Sequence, residues 1–357
     1  MIGTESNDWP YGDLPGQLDL TAHAYNFARM QAVVRSSPAD FWVEEVLGFD
    51  PDPGEAHLWL KIRKTALNTV DIVRLLSEQS GAKRRDIGYS GLKDRLAVTT
   101  QWFSLPMPRL QSRPENLPLF QNPDIELLTS AEARQKLKRG VHRANRFAIT
   151  VRDIRNPQKT IDDLLVQIRH SGVPNYFGIQ RFGRNGSNLT RSIQLARGIW
   201  KPGKRDRHLR SLAISSARSW LFNSVLSERV HNLCWDRAID GDILQFDGSG
   251  SVFANDVDDT SITSRLHSGK IHPTGPMWGS GERQSTGQAA ALEHKVALEF
   301  SEVSNALAGW EVKQQRRSLR LMVHNLEWEW RSREAMRLKF ELTRGAFATS
   351  VLREIFS

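Results

Sequence analysis

The sequence predicts a mixed fold of helices and strands in two domains, one inserted into the other, and three observations carry this. The chain has 357 residues, more than one ordinary hydrophobic core organises. Alternating apolar segments, the mark of half-buried strands, stand towards both ends, with helical periodicities between them. Over residues 172–320 the composition shifts to basic and Gly/Ser-rich stretches. The segments 1–171 and 321–357 are therefore expected to form one discontinuous domain, with 172–320 inserted in it.

Taken in order, residues 57–63 alternate Leu58, Leu60 and Ile62 against Trp59, Lys61 and Arg63, which predicts a strand. Asn68 is placed to cap a helix carrying Val70, Val73 and Leu76 on one face, and Gly81 to end it. A glycine-punctuated loop, IGYSGLKDR, leads into a further strand, AVTTQWFSL. Residues 145–153 show Phe147, Ile149 and Val151 on one side of a strand. A helix over 160–171 has Ile161, Leu164, Leu165 and Ile168 on one face, closed by Gly172 and Pro174. The middle region holds a helix over 214–232, with Leu221, Phe222, Val225 and Leu226, and a loop containing IHPTGPMWGSG. Near the end, Met336, Leu338, Phe340 and Leu342 alternate as a strand before a short helical segment with Phe347, Val351, Leu352 and Phe356. No internal repeat or low-complexity tract is present, which removes solenoid architectures.

The net charge of +9 favours polyanionic partners, because neutralised phosphates release counterions. Basic residues gather in three places: Arg134 to Arg146, Arg181 to Arg210, and Lys313 to Arg320. Each cluster alone reads as a solvated face; together they suggest one extended basic surface for nucleic acid. No apolar run approaches the ~18–20 residues of a membrane span, and the segment MIGTESNDWPYGDLPGQ lacks the basic and apolar parts of a secretory signal. A cytoplasmic protein without a membrane is expected. The lone Cys234 excludes internal disulfides and a Cys-rich zinc site. The ten His include no HExxH, GxxxxGK[ST] is missing, FGRNGSNL lacks the context of a dinucleotide site, and no GxSxG elbow occurs. No metal or cofactor is expected, and acid chemistry on RNA remains.

The run Gly91, Leu92, Lys93, Asp94, Arg95 sets a carboxylate between two cations in a Gly-containing turn. Neighbouring positive charges keep an Asp ionised, as a nucleophile requires; an Asp that merely caps a turn gives the same pentapeptide. GLKDRLAVTTQWF resembles the signature loop of the TruD family of tRNA pseudouridine synthases. SPADFWVEEVLGFDPDPGEAHLWLKIRK, NRFAITVRD, VPNYFGIQRFGRNGSNL and GAFATSVLREIF resemble further family motifs in the same order, over about residues 30–357.

The resemblance implies an α+β catalytic domain with a mixed, largely antiparallel sheet, and an inserted α/β domain of TruD type beside a basic cleft. It implies cofactor-independent isomerisation of uridine to pseudouridine in tRNA, at position 13, on a base flipped out of its stack. Asp94 matches the nucleophile, Phe41 a substrate-contacting aromatic, Asn145 and Phe147 the pair that bonds and stacks on the base, and Phe347 the aromatic of the FATS motif. Glu45 and Lys93 are candidates for an ion pair that orients the loop. Arg181 and Arg184, interleaved with Tyr176, Phe177 and Phe182, are candidates for RNA contact. Arg35 stands where bacterial members carry a lysine; a guanidinium keeps the charge and does not titrate, so its role is electrostatic. The expected partner is tRNA, bound by a monomer with no obligate protein partner. Two alternatives stay open: an RNA-binding protein without catalysis, and a methyltransferase, which the missing Gly-rich cofactor loop disfavours.

Overall fold

A computed structural model describes residues 22–25, 30–107, 116–256 and 258–356. The chain begins with β1 (Val33–Val34), β2 (Phe41–Val46), β3 (His57–Thr65), α1 (Thr69–Ser80), β4 (Gly88–Tyr89), β5 (Val98–Pro106), β6 (Ile125–Ala133), β7 (Ala144–Arg152) and α2 (Gln158–Ser171). It continues through β8 (Val173–Pro174), α3 (Ser187–Ala196), α4 (Arg207–His231), β9 (Ile243–Phe246), β10 (Val252–Ala254), α5 (Ser261–His267) and β11 (Ile271–Met277). Then come α6 (Gly287–Glu299), α7 (Ser301–Gly309), β12 (Gln315–Ser318), β13 (Arg320–Leu321), β14 (His324–Trp330), β15 (Met336–Thr343) and α8 (Ala348–Ile355). Two units result: residues 30–169, 323–348 and 355–356 form one, and 22–25, 170–322 and 349–354 the other.

In the unit of the chain ends, alternation builds one sheet in the order β14-β15-β7-β2-β5-β3-β6, with β1 beside β7 and β4 beside β5. Every pair is antiparallel except β2 with β5, so the unit is α+β. Because side chains alternate across a strand, register decides which residues share a face. Phe41, Val43 and Glu45 of β2 stand opposite Ile149, Phe147 and Asn145 of β7, and Leu338, Phe340 and Leu342 of β15 complete the row. On the same face of β3, Leu58, Leu60 and Ile62 are buried against Ile72, Val73 and Leu76 of α1.

Helix α1 starts where Asp71 accepts a hydrogen bond from the Asn68 amide at 2.9 Å and stops at Gly81, whose φ of 77° suits glycine. Its buried stripe is Ile72, Val73 and Leu76, while Val70, expected inside, is exposed; three-residue steps drift around a helix of 3.6 residues per turn. Trp59, expected on the outer face, is there but buried, its indole donating to the Gln135 carbonyl at 2.8 Å. Ile161, Leu164, Leu165 and Ile168 of α2 are fully buried, as their spacing predicts.

The other unit has a four-stranded antiparallel sheet, β10-β9-β11-β12, and a β8-β13 pair. The segment IHPTGPM, expected as a loop, is β11, buried over Ile271–Pro276. A strand covered on both faces has no alternation to read, and its prolines mimic a turn signal. Helix α4 is longer than expected, 25 residues, and buries Ala217, Leu221 and Val225 against Val296, Val303 and Leu307. Residues 349–354 join this unit through Ser350, which donates to the Tyr176 carbonyl at 2.8 Å, and Glu354, which accepts from the Ala24 amide at 2.9 Å.

Leu76→Ala opens a cavity between α1 and the sheet and is expected to cost about 2–5 kcal/mol. Urea unfolding checks this as a lowered midpoint with an unchanged slope.

Candidate active site

The loop between β4 and β5 carries Asp94, and polar contacts from several directions hold it. The Ser90 carbonyl accepts from the Gly140 amide at 2.7 Å, and the Gly91 carbonyl from Gln101 Nε2 at 3.1 Å. Thr69 Oγ1 donates to Gln101 Oε1 at 2.8 Å and accepts from the Lys93 amide at 3.0 Å. The start of α1 and a strand of the sheet therefore fix the backbone that leads into Asp94.

Successive side chains of this loop leave in different directions. Lys93 turns inward, 5% exposed, with Nζ 3.0 Å from Glu45 Oε2 and 2.8 Å from Asn145 Oδ1. The Glu45 side chain has no exposed surface. Burial pushes its carboxyl above the ordinary range, and the Lys93 ammonium pulls against that. Asp94 turns outward, 54% exposed, and its carboxylate meets Arg35 Nη2 at 3.0 Å. The partner of Asp94 is thus Arg35, 59 residues away in sequence, whereas the adjacent Lys93 is bonded to Glu45 and Asn145.

Arg35 has a φ of 66°, a left-handed backbone that is strained for any residue with a Cβ. Its guanidinium lies over the Phe41 ring, 3.8 Å from the centroid. Phe41 meets Phe147 edge to face at 6.2 Å, and Phe147 stacks on Phe340 at 5.2 Å. A carboxylate, a cation and three rings form one continuous row on the sheet.

Arg35, Phe41, Glu45, Lys93, Asp94, Asn145 and Phe147 are joined by these contacts. Phe347, half-buried, follows β15 in the same unit. Arg181 and Arg184 belong to the other unit. There Arg181 lies over Phe177 at 5.2 Å and donates to Ser215 at 3.1 Å, while Arg184 is exposed. Among the described residues no three His, Cys, Asp or Glu side chains converge as a metal site needs.

Sequence reasoning missed two buried groups here. Lys64 is fully buried and donates to the Leu67 carbonyl at 2.6 Å. Burial, with Lys93 nearby, pushes its pKa down to about 8. Its signal was present: it continues the inward series Leu58, Leu60, Ile62 with a polar residue. His142, also buried, touches Ser90 and Asn145, and nothing in its local sequence announces this.

Comparison with known proteins fits this arrangement. The family model described as "tRNA pseudouridine synthase D (TruD)" matches residues 17–193 and 204–355. Curated proteins named tRNA pseudouridine synthase D are similar over nearly the whole chain. The one from Methylococcus capsulatus is 39% identical, over 96% of this chain and 96% of its own. The one from Pseudomonas aeruginosa strain LESB58 is 40% identical, over 95% of each chain. A crystal structure described as the putative tRNA pseudouridine synthase D from Methanosarcina mazei has the same fold, with a TM-score of 0.72 at 20% identity over 96% of this chain and 97% of that one. The chain is a pseudouridine synthase by class. Within that class it belongs to the tRNA pseudouridine synthase D (TruD) family.

Lys93→Met strands the buried Glu45 charge and is expected to cost about 3–5 kcal/mol in urea unfolding near neutral pH. The double variant Lys93→Met/Glu45→Leu is expected to regain most of that. Equal losses in both would show that the ion pair is not what holds the loop.

Proposed function

We propose that this tRNA pseudouridine synthase isomerises a uridine of tRNA, at position 13, with the Asp94 carboxylate as nucleophile and without a cofactor. The observation that carries the reading is the half-exposed Asp94, paired with Arg35, whose guanidinium lies on the first ring of an aromatic row. A nucleophilic carboxylate must be both ionised and reachable. Arg35 sets a guanidinium 3.0 Å from the carboxylate, so it orients Asp94 and takes no part in proton transfer. The exposure of Asp94 makes it reachable.

The target base must leave its stack to reach this loop. Phe347, half-buried, supplies apolar surface that replaces the lost stacking, while Phe41 and Phe147, 2% and 7% exposed, make the apolar wall behind the site that keeps water from the opened sugar. Asn145 presents amide atoms to the edge of the base. In the reaction the bond between C1′ and N1 breaks while Asp94 attacks the ribose or the ring. The base then turns and C5 bonds to C1′, displacing the Asp94 carboxylate from C1′ or, after attack on the ring, with the carboxylate then expelled from the ring; the C5 proton leaves, and N1 regains a proton. Atoms balance without oxidant, reductant or added group.

In this reading the unit of the chain ends is the catalytic domain, and the other is the TruD-type insertion, where Arg181 and Arg184 meet RNA. The basic balance of the chain supports tRNA as partner. Among the described residues no helix is long and apolar enough to cross a membrane. In this reading the enzyme acts as a monomer in the cytoplasm.

The test is pseudouridine mapping at base resolution in unmodified tRNA transcripts, with parent and Asp94→Asn protein and no small molecule added. The parent is expected to convert one uridine, lost when position 13 is changed to cytidine. Asp94→Asn is expected to bind the transcript and convert none, a fall in rate of at least the 10²–10⁴-fold typical of a lost reacting group. Conversion by Asp94→Asn at the parental rate would sink the assignment.

A further inference from the structure

We infer that His142 is a positioning residue of the active site: its neutral ring, protonated on Nδ1, holds the Asn145 amide together with Lys93 and so keeps one orientation of its atoms towards the substrate base. This rests on the reading of the site given above.

His142 lies just before β7 and is buried. Its Nδ1 is 2.6 Å from Ser90 Oγ, and its own backbone amide donates to the same oxygen at 3.0 Å. Its Nε2 is 3.5 Å from Asn145 Nδ2, the longest contact of the set. The ring edge packs on Gly91, where a Cβ would stand 3.4 Å from Cε1. The histidine therefore touches two consecutive residues of the loop that carries Asp94.

The protons can be assigned from one fixed donor. The Lys93 ammonium has only protons to offer, so Asn145 Oδ1 is the atom it meets at 2.8 Å. The other end of that amide is the NH₂ group, which faces Nε2. Nε2 must then accept, which leaves the ring proton on Nδ1, donated to Ser90 Oγ. One tautomer satisfies every contact. Because one Asn145 N–H points to His142 and one lone pair of Oδ1 is taken by Lys93, what remains for a ligand is one amide N–H, a donor for a carbonyl oxygen of the base, and the second lone pair of Oδ1.

The charges that face the ring are Lys93, from the loop, and Arg344, beyond β15; both are cations, and Ser90 is neutral. Burial, with these two charges, pushes the His142 pKa down to about 4. Protonation would place a second donor against the Asn145 NH₂ and release the amide. A buried histidine serving only as packing has no such dependence on which nitrogen carries the proton.

The experiment measures kcat and KM against pH for the full chain on tRNA transcript, with His142→Phe and His142→Gln, and Asp94→Asn alongside. Gln carries an amide oxygen near the place of Nε2 and does not titrate. His142→Phe is expected to lose about 10–100-fold in kcat, as a misplaced substrate contact does, with KM little changed. His142→Gln is expected to recover kcat to within a few-fold and to lose the acid-side fall that the histidine imposes. Equal losses in both variants, or none in His142→Phe, overturn the proposal. Nitrogen-15 chemical shifts of the His142 ring, read without turnover, are expected to show the Nδ1–H form, and the Nε2–H form overturns it. Asp94→Asn retaining activity would instead remove the nucleophile assignment, while the ring shifts would still decide the tautomer.

Discussion

One buried ammonium holds the site together. Lys93 Nζ reaches both Glu45 of β2 and Asn145 of β7, residues that the sheet register sets directly opposite each other. A buried ion pair adds little net stability over well-packed apolar groups, since desolvation offsets most of the attraction, but leaving either partner alone is costly. The pair therefore works as a constraint. Any slip of β2 against β7 by one residue would send Glu45 and Asn145 to opposite faces, and the loop would lose the anchor that turns Asp94 outward.

The same register divides the sheet into two chemical surfaces. Phe41, Val43 and Glu45 face one way with Phe147 and Phe340, giving an apolar ground with a polar end at Asn145. Trp42 and Glu44 face the other, where Lys61 and Arg146 both meet Glu44, at 2.7 and 3.4 Å, and Arg143 meets Glu341 at 3.0 Å. These partly exposed pairs contribute modestly each and keep the outer face charged. The inner face can then place a carboxylate beside aromatic rings without exposing either surface along its whole length.

Much of the architecture was legible because period-2 and period-3.6 patterns report burial on one face only. β3, β7, β15 and α2 have such patterns, and their inward residues are those the alternation names. β11 has none, being buried over Ile271–Pro276, and Pro273 and Pro276 made the segment read as a loop. At the site, GLKD located the loop but not the partner of its carboxylate. Adjacent residues need not share a direction, and the cation that meets Asp94 comes from Arg35, held by a left-handed backbone that no local pattern signals. His142 was illegible for the same reason, since its contacts are with Ser90, 52 residues away, and with an amide that Lys93 also holds.

Charge counting misleads in a related way. Lys313 to Arg320 looked like a solvated basic run, yet Arg316 pairs with Glu293 at 2.8 Å with both side chains buried. Arg320 donates to the carbonyls of Ser171, Leu266 and His170. Arginine tolerates such burial because its planar donors match several acceptors at once and its hydration is weak, whereas a lysine ammonium is held by its water. Part of the net positive charge is thus structural and unavailable to a polyanion. What is available lies elsewhere, in exposed residues such as Lys201, Lys204 and Arg205 before α4 and Arg207 at its start. The family match breaks off after residue 193 and resumes at 204, so part of this run lies outside the family pattern. Attraction between exposed charges acts over about 8 Å in physiological salt and does not depend on fine placement, so these charges need no set positions, whereas Glu45 and Asn145 act only in their register.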